Sequence, residues 1–383
     1  MNGGPSNGKA PGFEGAWVIS SWADARAILV DASARVPADS PPRLPSEGGA
    51  MGAVVARGAR LRGLWMWGCH TDRRISCRKA AAAAIGPSSV DLLGPWLQTR
   101  ALALLDGCAA ADEADLVAGF ARPLVRDALM ELFGVPPGAR EALQSQVEAM
   151  AGFIPGKASG DTARYFALAA TAELLEALWA KPLPALAAAS RALRDAAEAG
   201  ELSLDEALAQ ATLLLFGNSY TTLDALAGLI GRLAEQPLLW ESARNGTLSV
   251  ASLVEESLRL GPPSQLVLFR DATAEIPCPG GPIPEGARIV LPLDRLNRDP
   301  ACFERPDSFE PDRSGPPHLA FGAGRHMCVG LHLARAVIRT GIEALLGRLP
   351  EWPAETRVDR APGILGGPGV DRLIVPAGAL RPC

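Results

Sequence analysis

The sequence predicts a mainly α fold with a smaller β part, helices first and strands after. Two observations carry this. From about residue 88 to 260 the chain is Ala/Leu-rich with helical periodicity. After Gly261 it changes character, and Pro, Gly and short β-type runs dominate. No internal repeat interrupts either part.

The helical part is punctuated at Pro136-Pro137-Gly138, Pro155-Gly156, Lys181-Pro182 and Gly200, leaving segments of helical length between them. Ala185 to Ala199 reads as one amphipathic helix. Ser203 to Gly231 reads as a long helix, with Ser203 as N-cap and Glu206 three residues on as its capping-box partner. At about 1.5 Å per residue it spans on the order of 40 Å, enough to cross the whole domain. Its middle, Ala211 to Phe216, is apolar on almost every side (Thr212 excepted), as a buried helix requires. In the second part, Gln265 to Phe269, Arg288 to Pro292 and Leu373 to Pro376 read as short strands. Asn297 to Pro317 holds five prolines and one glycine in twenty-one residues. That is too long for a simple connection, so it is functional or packed against something. A final helix runs from near Cys328 to about Leu349.

Composition narrows the function. The chain has 383 residues, 48% hydrophobic and 21% charged, so it can bury a large core. A net charge of −5 gives no basic footprint for nucleic acid. Seven scattered cysteines, odd in number and with no C-x-x-C pair, argue against a disulfide framework or a zinc site and for a reducing, cytoplasmic setting. Met1 to Gly15 reads as a disordered Gly/Pro/Ser-rich tail, not a signal peptide. No run approaches the length of a membrane span.

The strongest local signal is Phe321-Gly322-Ala323-Gly324-Arg325-His326-Met327-Cys328-Val329-Gly330. Three glycines flank a cysteine just before a helix. Glycine permits left-handed backbone and close approach of another body. A helix start and free N–H groups favour a thiolate. Phe321 is placed to shield the sulfur and His326 to donate to an anion. The same pattern also suits a buried structural cysteine in a Gly-rich turn.

The segment resembles the haem-binding loop of the cytochrome P-450 family, with Phe321, Gly324, His326, Cys328 and Gly330 on its fixed positions. Leu331-His332-Leu333-Ala334-Arg335 and His318-Leu319-Ala320 are similar to soluble bacterial members. Four further stretches follow in the family's order. Glu256-Ser257-Leu258-Arg259 matches its Glu-x-x-Arg, a core ion pair. Asn297-Arg298-Asp299-Pro300 through Phe309-Glu310-Pro311-Asp312-Arg313 resembles its irregular meander. There Ser308 stands where many members carry Arg, so Arg305 or Arg313 is expected to supply the third charge. His70-Thr71-Asp72-Arg73-Arg74 resembles a His-x-x-x-Arg over the haem edge, and Arg270-Asp271-Ala272 a propionate-binding Arg.

This resemblance implies a single P-450 domain over residues 1–383, with haem b between the long central helix and the Cys-loop helix. It implies Cys328 as the metal ligand, with Phe321, Gly322 and Gly330 shaping the loop. It implies His70, Arg74, Arg270 and His326 on the propionates. The activity implied is that of a haem-thiolate monooxygenase, most often a hydroxylase. Electrons would come from a ferredoxin and ferredoxin reductase, since no flavin or nicotinamide fingerprint is present. A monomer is expected, with no membrane and no nucleic acid. Arg73, Arg78, Lys79 and Arg335 are candidates for a basic docking patch. A radical-coupling or rearranging oxidase and a non-catalytic haem scaffold are the competing readings.

One stretch departs from the family. Phe216-Gly217-Asn218-Ser219-Tyr220-Thr221-Thr222 stands where the family has (Ala/Gly)-Gly-x-(Asp/Glu)-Thr. Counting back from Gln236-Pro237 puts Thr221 on the Thr and Tyr220 on the acid. Counting forward from Gly217 puts Ser219 there. Neither gives a carboxylate. Thr221 and Tyr220 are the expected catalytic pair. Substrate contacts are expected from a loop at Ala50 to Met66, from around Phe153, from Phe216 and Gly217, from Leu266 and Val267, and from Leu365. These segments are mostly apolar, which suggests an apolar or polycyclic substrate.

Overall fold

The computed structural model describes residues 15–37, 49–67, 73–153, 161–263, 267–363, 368–376 and 378–381. In chain order the elements are β1 (Trp17–Val18), α1 (Trp22–Val30), β2 (Ala34–Arg35), α2 (Ala50–Gly63), α3 (Arg73–Ile85), α4 (Pro87–Ala109), β3 (Glu113–Asp115), α5 (Arg122–Leu132), α6 (Pro137–Ala149), α7 (Asp161–Trp179), α8 (Ala188–Glu198), α9 (Leu204–Glu235), α10 (Pro237–Arg244) and α11 (Val250–Leu260). Then come β4 (Val267–Ala272), β5 (Arg288–Pro292), α12 (Leu293–Leu296), α13 (Leu331–Arg348), β6 (Arg357–Pro362) and β7 (Pro368–Pro376). The order is mainly α with a smaller β part, as the sequence predicts.

The long helix forms for the expected reason. Ser203 Oγ accepts from the Glu206 N–H, and the Glu206 carboxylate accepts from the Ser203 N–H. The helix outruns its predicted end at Gly231 and stops at Glu235, before Pro237. By length and composition it is the one helix among the described residues able to cross a membrane, but 67% of that window is buried inside the protein. It is the spine of the helical core, packed by α5, α7, α8, α11 and α13.

A four-stranded sheet of order β1-β5-β4-β2 carries the only parallel pair among the described strands, β1 with β5. It packs with α1 in a second core of Ile19, Ile28, Leu29, Ile289, Leu291 and Leu319. A three-stranded antiparallel sheet of order β3-β7-β6 lies against the far end of α9. Strand β5 matches its predicted bounds, β4 runs on to Ala272 beyond the expected end at Phe269, and β7 is longer; Gln265 and Leu266 lie outside the described residues. Strand β3 was not anticipated, because Glu113-Ala114-Asp115 has no apolar alternation and owes its form to pairing with β7.

The irregular stretch is packed, as its length demanded. Glu256 and Arg259 on α11 are 4% and 2% exposed and form a two-bond ion pair, 2.7 Å on each arm. Arg259 also donates to the carbonyls of Asn297, Pro306 and Ser308. Of the two candidates for the third charge it is Arg313 that reaches Glu256, at 3.3 Å; Arg305 pairs with Glu310 instead. Helix α1 is stitched to the same region. Trp22 donates its backbone N–H to Asp299 and its indole N–H to the Pro317 carbonyl, and Asp24 accepts from the Gly280 N–H.

Candidate cofactor and substrate site

The Cys loop is closed by its own backbone. Gly322 N–H donates to Leu319, Met327 N–H to Gly324, and Cys328 N–H to Phe321 at 2.8 Å. Gly322 and Gly324 both sit at φ +67°, where a side chain would be strained. A Cβ on Gly324 would also collide with the Leu29 carbonyl of α1. Helix α13 starts at Leu331 with Gly330 as its cap, so Cys328 lies just before the helix rather than opening it. A Cβ on Gly330 would collide with Asn218 Oδ1, which brings α9 directly onto the head of α13. His326 is half-buried in the short turn Gly324–His326.

Helix α3 grips this loop from the side. Arg74 donates to the Arg325 carbonyl at 3.0 Å, and Arg78, one turn on, to the Met327 carbonyl at 2.6 Å. The role of Arg78 was missed, although its i,i+4 spacing from Arg74 was the available signal. The expected basic patch is therefore largely committed. Arg73 pairs with Glu206, Lys79 with Glu201 at 3.2 Å and Arg335 with Glu255 at 2.6 Å. Arg335 also lies 4.6 Å over the Phe321 ring, which fixes one wall of the loop.

Cys328 is the most accessible of the described cysteines. Yet burial pushes its thiol above the ordinary value, against the lowering effects of the Gly330 N–H, Arg78 and Arg335. Both hold for a thiol facing a recess within the protein. The sequence expectation of a lowered pKa is thus corrected: the surrounding protein mass outweighs the helix start. Among the described residues no group of three or more His, Cys, Asp or Glu stands together. A single sulfur of this kind suits a metal that brings its other ligands with it, as a porphyrin does.

Arg270 is a second feature of the site, a buried cation suited to an anionic partner. It is 5% exposed and donates to the Phe269 carbonyl. Among the described residues no carboxylate pairs with it, and burial alone pulls its pKa down to about 10. A buried cation is costly unless paired. A thiol in a recess, a buried guanidinium and the donors of α3 form a set that fits haem with its peripheral carboxylates. His70, Leu266 and Leu365 lie outside the described residues, as do residues 1–14 of the expected tail and the side chain of Val267.

On α9 the side chains bond back to their own helix. Asn218 donates to Leu214, Ser219 to Leu215 and Thr221 to Gly217, each at 2.7–2.8 Å. Such bonds bend helices. Gly217, Thr221, Asp224 and Gly228 are half-exposed at i, i+4, i+7 and i+11, so one face of this mostly buried helix is open; Ser219 and Tyr220 are also half-exposed. Thr221 shares that face with Gly217, four residues back, whereas Thr222 is buried and its hydroxyl has no hydrogen-bond partner among the described residues. The Tyr220 phenol is held far above its usual pKa by burial and by the charge of Glu148 on α6, with Arg122 opposing.

The roof is not the expected loop. Ala50 to Gly63 is helix α2, because Ala-Met-Gly-Ala-Val-Val-Ala-Arg is rich in good helix formers. Gly58 lets α2 lie against the Tyr165 backbone of α7. Gln210 on α9 anchors the end of this segment, donating to the Leu64 carbonyl and accepting from the Met66 N–H. Phe153 and Phe216, both expected here, meet in one aromatic cluster with Trp65, Trp67 and Tyr165.

Known proteins resemble this arrangement. A family model described as Cytochrome P450 matches residues 183–350. The chain is 31% identical to Cytochrome P450 105C1 of a Streptomyces species, over 87% of this chain and 81% of that protein. It is 30% identical to the 20-oxo-5-O-mycaminosyltylactone 23-monooxygenase of Streptomyces fradiae, over 89% and 79%. Among solved structures it resembles P450BioI, crystallised with an acyl carrier protein bearing hexadec-9Z-enoic acid, with a TM-score of 0.80 and 25% identity over 94% of this chain and 92% of that one.

Proposed function

The chain belongs to the cytochrome P450 family, and on that premise we propose that it hydroxylates a mainly apolar small molecule of bacterial secondary metabolism. It is an oxidoreductase, a P450 monooxygenase whose cofactor is haem b. The observation that carries the reading is the Cys328 thiol, open to a recess in a loop fixed by Arg74 and Arg78.

In this reading Cys328 is the iron ligand. Arg270, Arg74, His326 and His70 hold the propionates, and Phe321, Gly322 and Gly330 shape the loop around the group. The haem supplies dioxygen activation, with the thiolate favouring O–O cleavage. The protein supplies ligand, position and dryness. Arg78 and Arg74 hold the carbonyls on either side of His326 and so fix the direction of the sulfur. The Thr221 hydroxyl, whose proton goes to the Gly217 carbonyl, offers an acceptor oxygen on the open face of α9. Tyr220 stays protonated at any working pH, so its part is to hold a hydrogen bond rather than to release a proton. Phe216, Gly217, Leu266, Val267 and Leu365 are the proposed substrate contacts. Electrons come from separate redox partners, here proposed as a ferredoxin and its reductase, and the protein acts as a cytoplasmic monomer over one domain.

The absence of a carboxylate at Ser219 and Tyr220 favours a second reading, in which an organic radical couples or rearranges before it is hydroxylated. Product analysis with a surrogate redox system separates the two. For the haem-thiolate reading itself, Cys328→Ala should abolish the thiolate-type Soret shift of the ferrous carbon monoxide complex. A variant that kept the shift would remove the assignment.

A further inference from the structure

Helix α11 carries two adjacent carboxylates that serve different partners. Glu256 is turned to Arg259 and the irregular stretch. Glu255 is turned to the Cys loop and its helix. It accepts from Arg335 on α13 through both oxygens, at 2.6 and 2.7 Å. Such a two-bond fork is the strongest form of an arginine–carboxylate pair. His318 Nε2 stands 3.2 Å from the same carboxylate, while its Nδ1 accepts the Ala320 N–H at 3.1 Å. Burial works against the Glu255 charge, but Arg335 and then His318 hold its carboxyl down at about 2. The pair is therefore ionised at any working pH.

The arginine end of this pair reaches the cysteine. Arg335 lies 4.6 Å over the face of Phe321, and the Phe321 carbonyl accepts the Cys328 N–H at 2.8 Å. His318 flanks the same ring, with centroids 5.8 Å apart. Burial disfavours an anion at Cys328, and the Gly330 N–H, Arg78 and Arg335 oppose that effect. The two cations differ in their partners. Arg78 donates to the Met327 carbonyl, whereas Arg335 holds a full carboxylate. The Arg335 charge is therefore matched where it acts on the sulfur. A clamp between α11 and α13 would account for the ion pair. It would not account for the guanidinium lying flat on the residue that receives the Cys328 N–H.

We propose that Glu255 is a positioning residue that sets the charge felt by the Cys328 sulfur, by holding Arg335 on Phe321 and cancelling its charge. The proposal rests on the haem-thiolate reading. Groups around a metal ligand tune the metal through the ligand, and a haem thiolate responds to the charge beside its sulfur. Positive charge left near the sulfur favours the reduced state, and negative charge disfavours it. Glu255 is 44% and Arg335 35% exposed in their side chains, so solvent and salt screen the effect in part.

The test is a spectroscopic redox titration of the substrate-free holoprotein. Glu255→Gln leaves Arg335 unmatched and should shift the ferric–ferrous equilibrium towards ferrous by about threefold, which is about 28 mV at 59 mV per tenfold for one electron. Arg335→Met leaves Glu255 unmatched and should shift it the other way. The double variant should lie closer to wild type than either single one. Arg335→Lys keeps the charge without the fork, so it should stay near the wild-type potential. Both single shifts should shrink with added salt. Simple damage to the loop would move both single variants in the same direction. Shifts of one sign, or an unchanged potential in Glu255→Gln, overturn the proposal. Glu255→Gln is nearly isosteric at a half-exposed site, so it decides the matter even where Arg335→Met loses haem. The carbon monoxide spectrum of the wild type checks the ligand separately. A thiolate-type band with no potential shift refutes the Glu255 role alone, and a missing band refutes both.

Discussion

Asn218 on α9 and Gly330 at the head of α13 leave no room for a methyl group between them. Gly330→Ala should therefore destabilise the protein by about 1–3 kcal/mol through overpacking. Asn218→Ala should recover most of that loss. The measurement is a double-mutant cycle by chemical denaturation. Additive effects would mean that the collision is relieved elsewhere.

The Glu256 carboxylate is served by Arg259 on its own helix and by Arg313 from the irregular stretch, and Glu310 adds a backbone N–H. Arg313→Met should cost about 1–3 kcal/mol, the worth of one charged hydrogen bond in a buried setting. Arg259→Met should cost more, about 3–5 kcal/mol, because it strands the buried Glu256 charge. Arg305→Met, at an exposed pair, should change the melting temperature little. A cost at Arg305 equal to that at Arg313 would contradict the assignment of the third charge.

Glu206 gives a pH dependence of known sign. The bond from Arg73, helped by Ser203, holds its carboxyl at about 2, below the ordinary value of about 4.3. A depressed folded pKa stabilises fully above the unfolded value and is lost as pH falls toward the folded one. Wild type should thus exceed Glu206→Gln by about 1–2 kcal/mol at pH 6, discounted for the half-exposed Arg73. The gap should close between about pH 4 and pH 2. Urea unfolding across that range decides it, and a pH-independent gap would count against the ion pair.

Arg270 separates folding from cofactor retention. In Arg270→Leu the buried charge disappears, so the haem-free protein should be as stable as wild type or more so. The holoprotein should lose about 1–3 kcal/mol of haem-linked stability and part of its haem. Parallel melts of the two forms test this. A variant weakened equally in both would show Arg270 to be an ordinary core residue.

Thr221 and Thr222 should behave oppositely. Thr221→Ala should raise hydrogen peroxide released per electron pair several-fold, if the open face of α9 is where protons are managed. Thr222→Val removes a buried hydroxyl with no partner among the described residues, so it should leave coupling intact and stability equal or higher. The reverse pattern would shift the proton-handling position by one residue.

Much of this was legible in the sequence because it is written locally. The Ser203 to Glu206 capping box, the Gly-rich loop around Cys328 and the i,i+3 pair of Glu256 and Arg259 each declare themselves within ten residues. What was not legible depends on partners far along the chain. Helix α2 was expected as a loop because the resemblance, not the Ala-rich composition, was followed there. The basic patch was overestimated because Glu201 before α9, Glu206 on α9 and Glu255 on α11 are far from it in sequence. Burial reversed the expected direction of the Cys328 thiol, and burial is a property of the packed chain. The choice between Arg305 and Arg313 needed the turn geometry of the Pro-rich stretch.

The stitching of α1 to the Pro-rich stretch has a consequence for biogenesis. Trp22 bonds to Asp299 and Pro317, and Gly324 of the Cys loop lies against Leu29. Helix α1 is thus completed by segments far later in the chain, across separations of 277 and 295 residues. Contacts so distant in sequence form late and leave apolar surface waiting. The Cys328 loop therefore reaches its final form only when segments about three hundred residues apart have met, which ties cofactor capture to the completion of long-range packing.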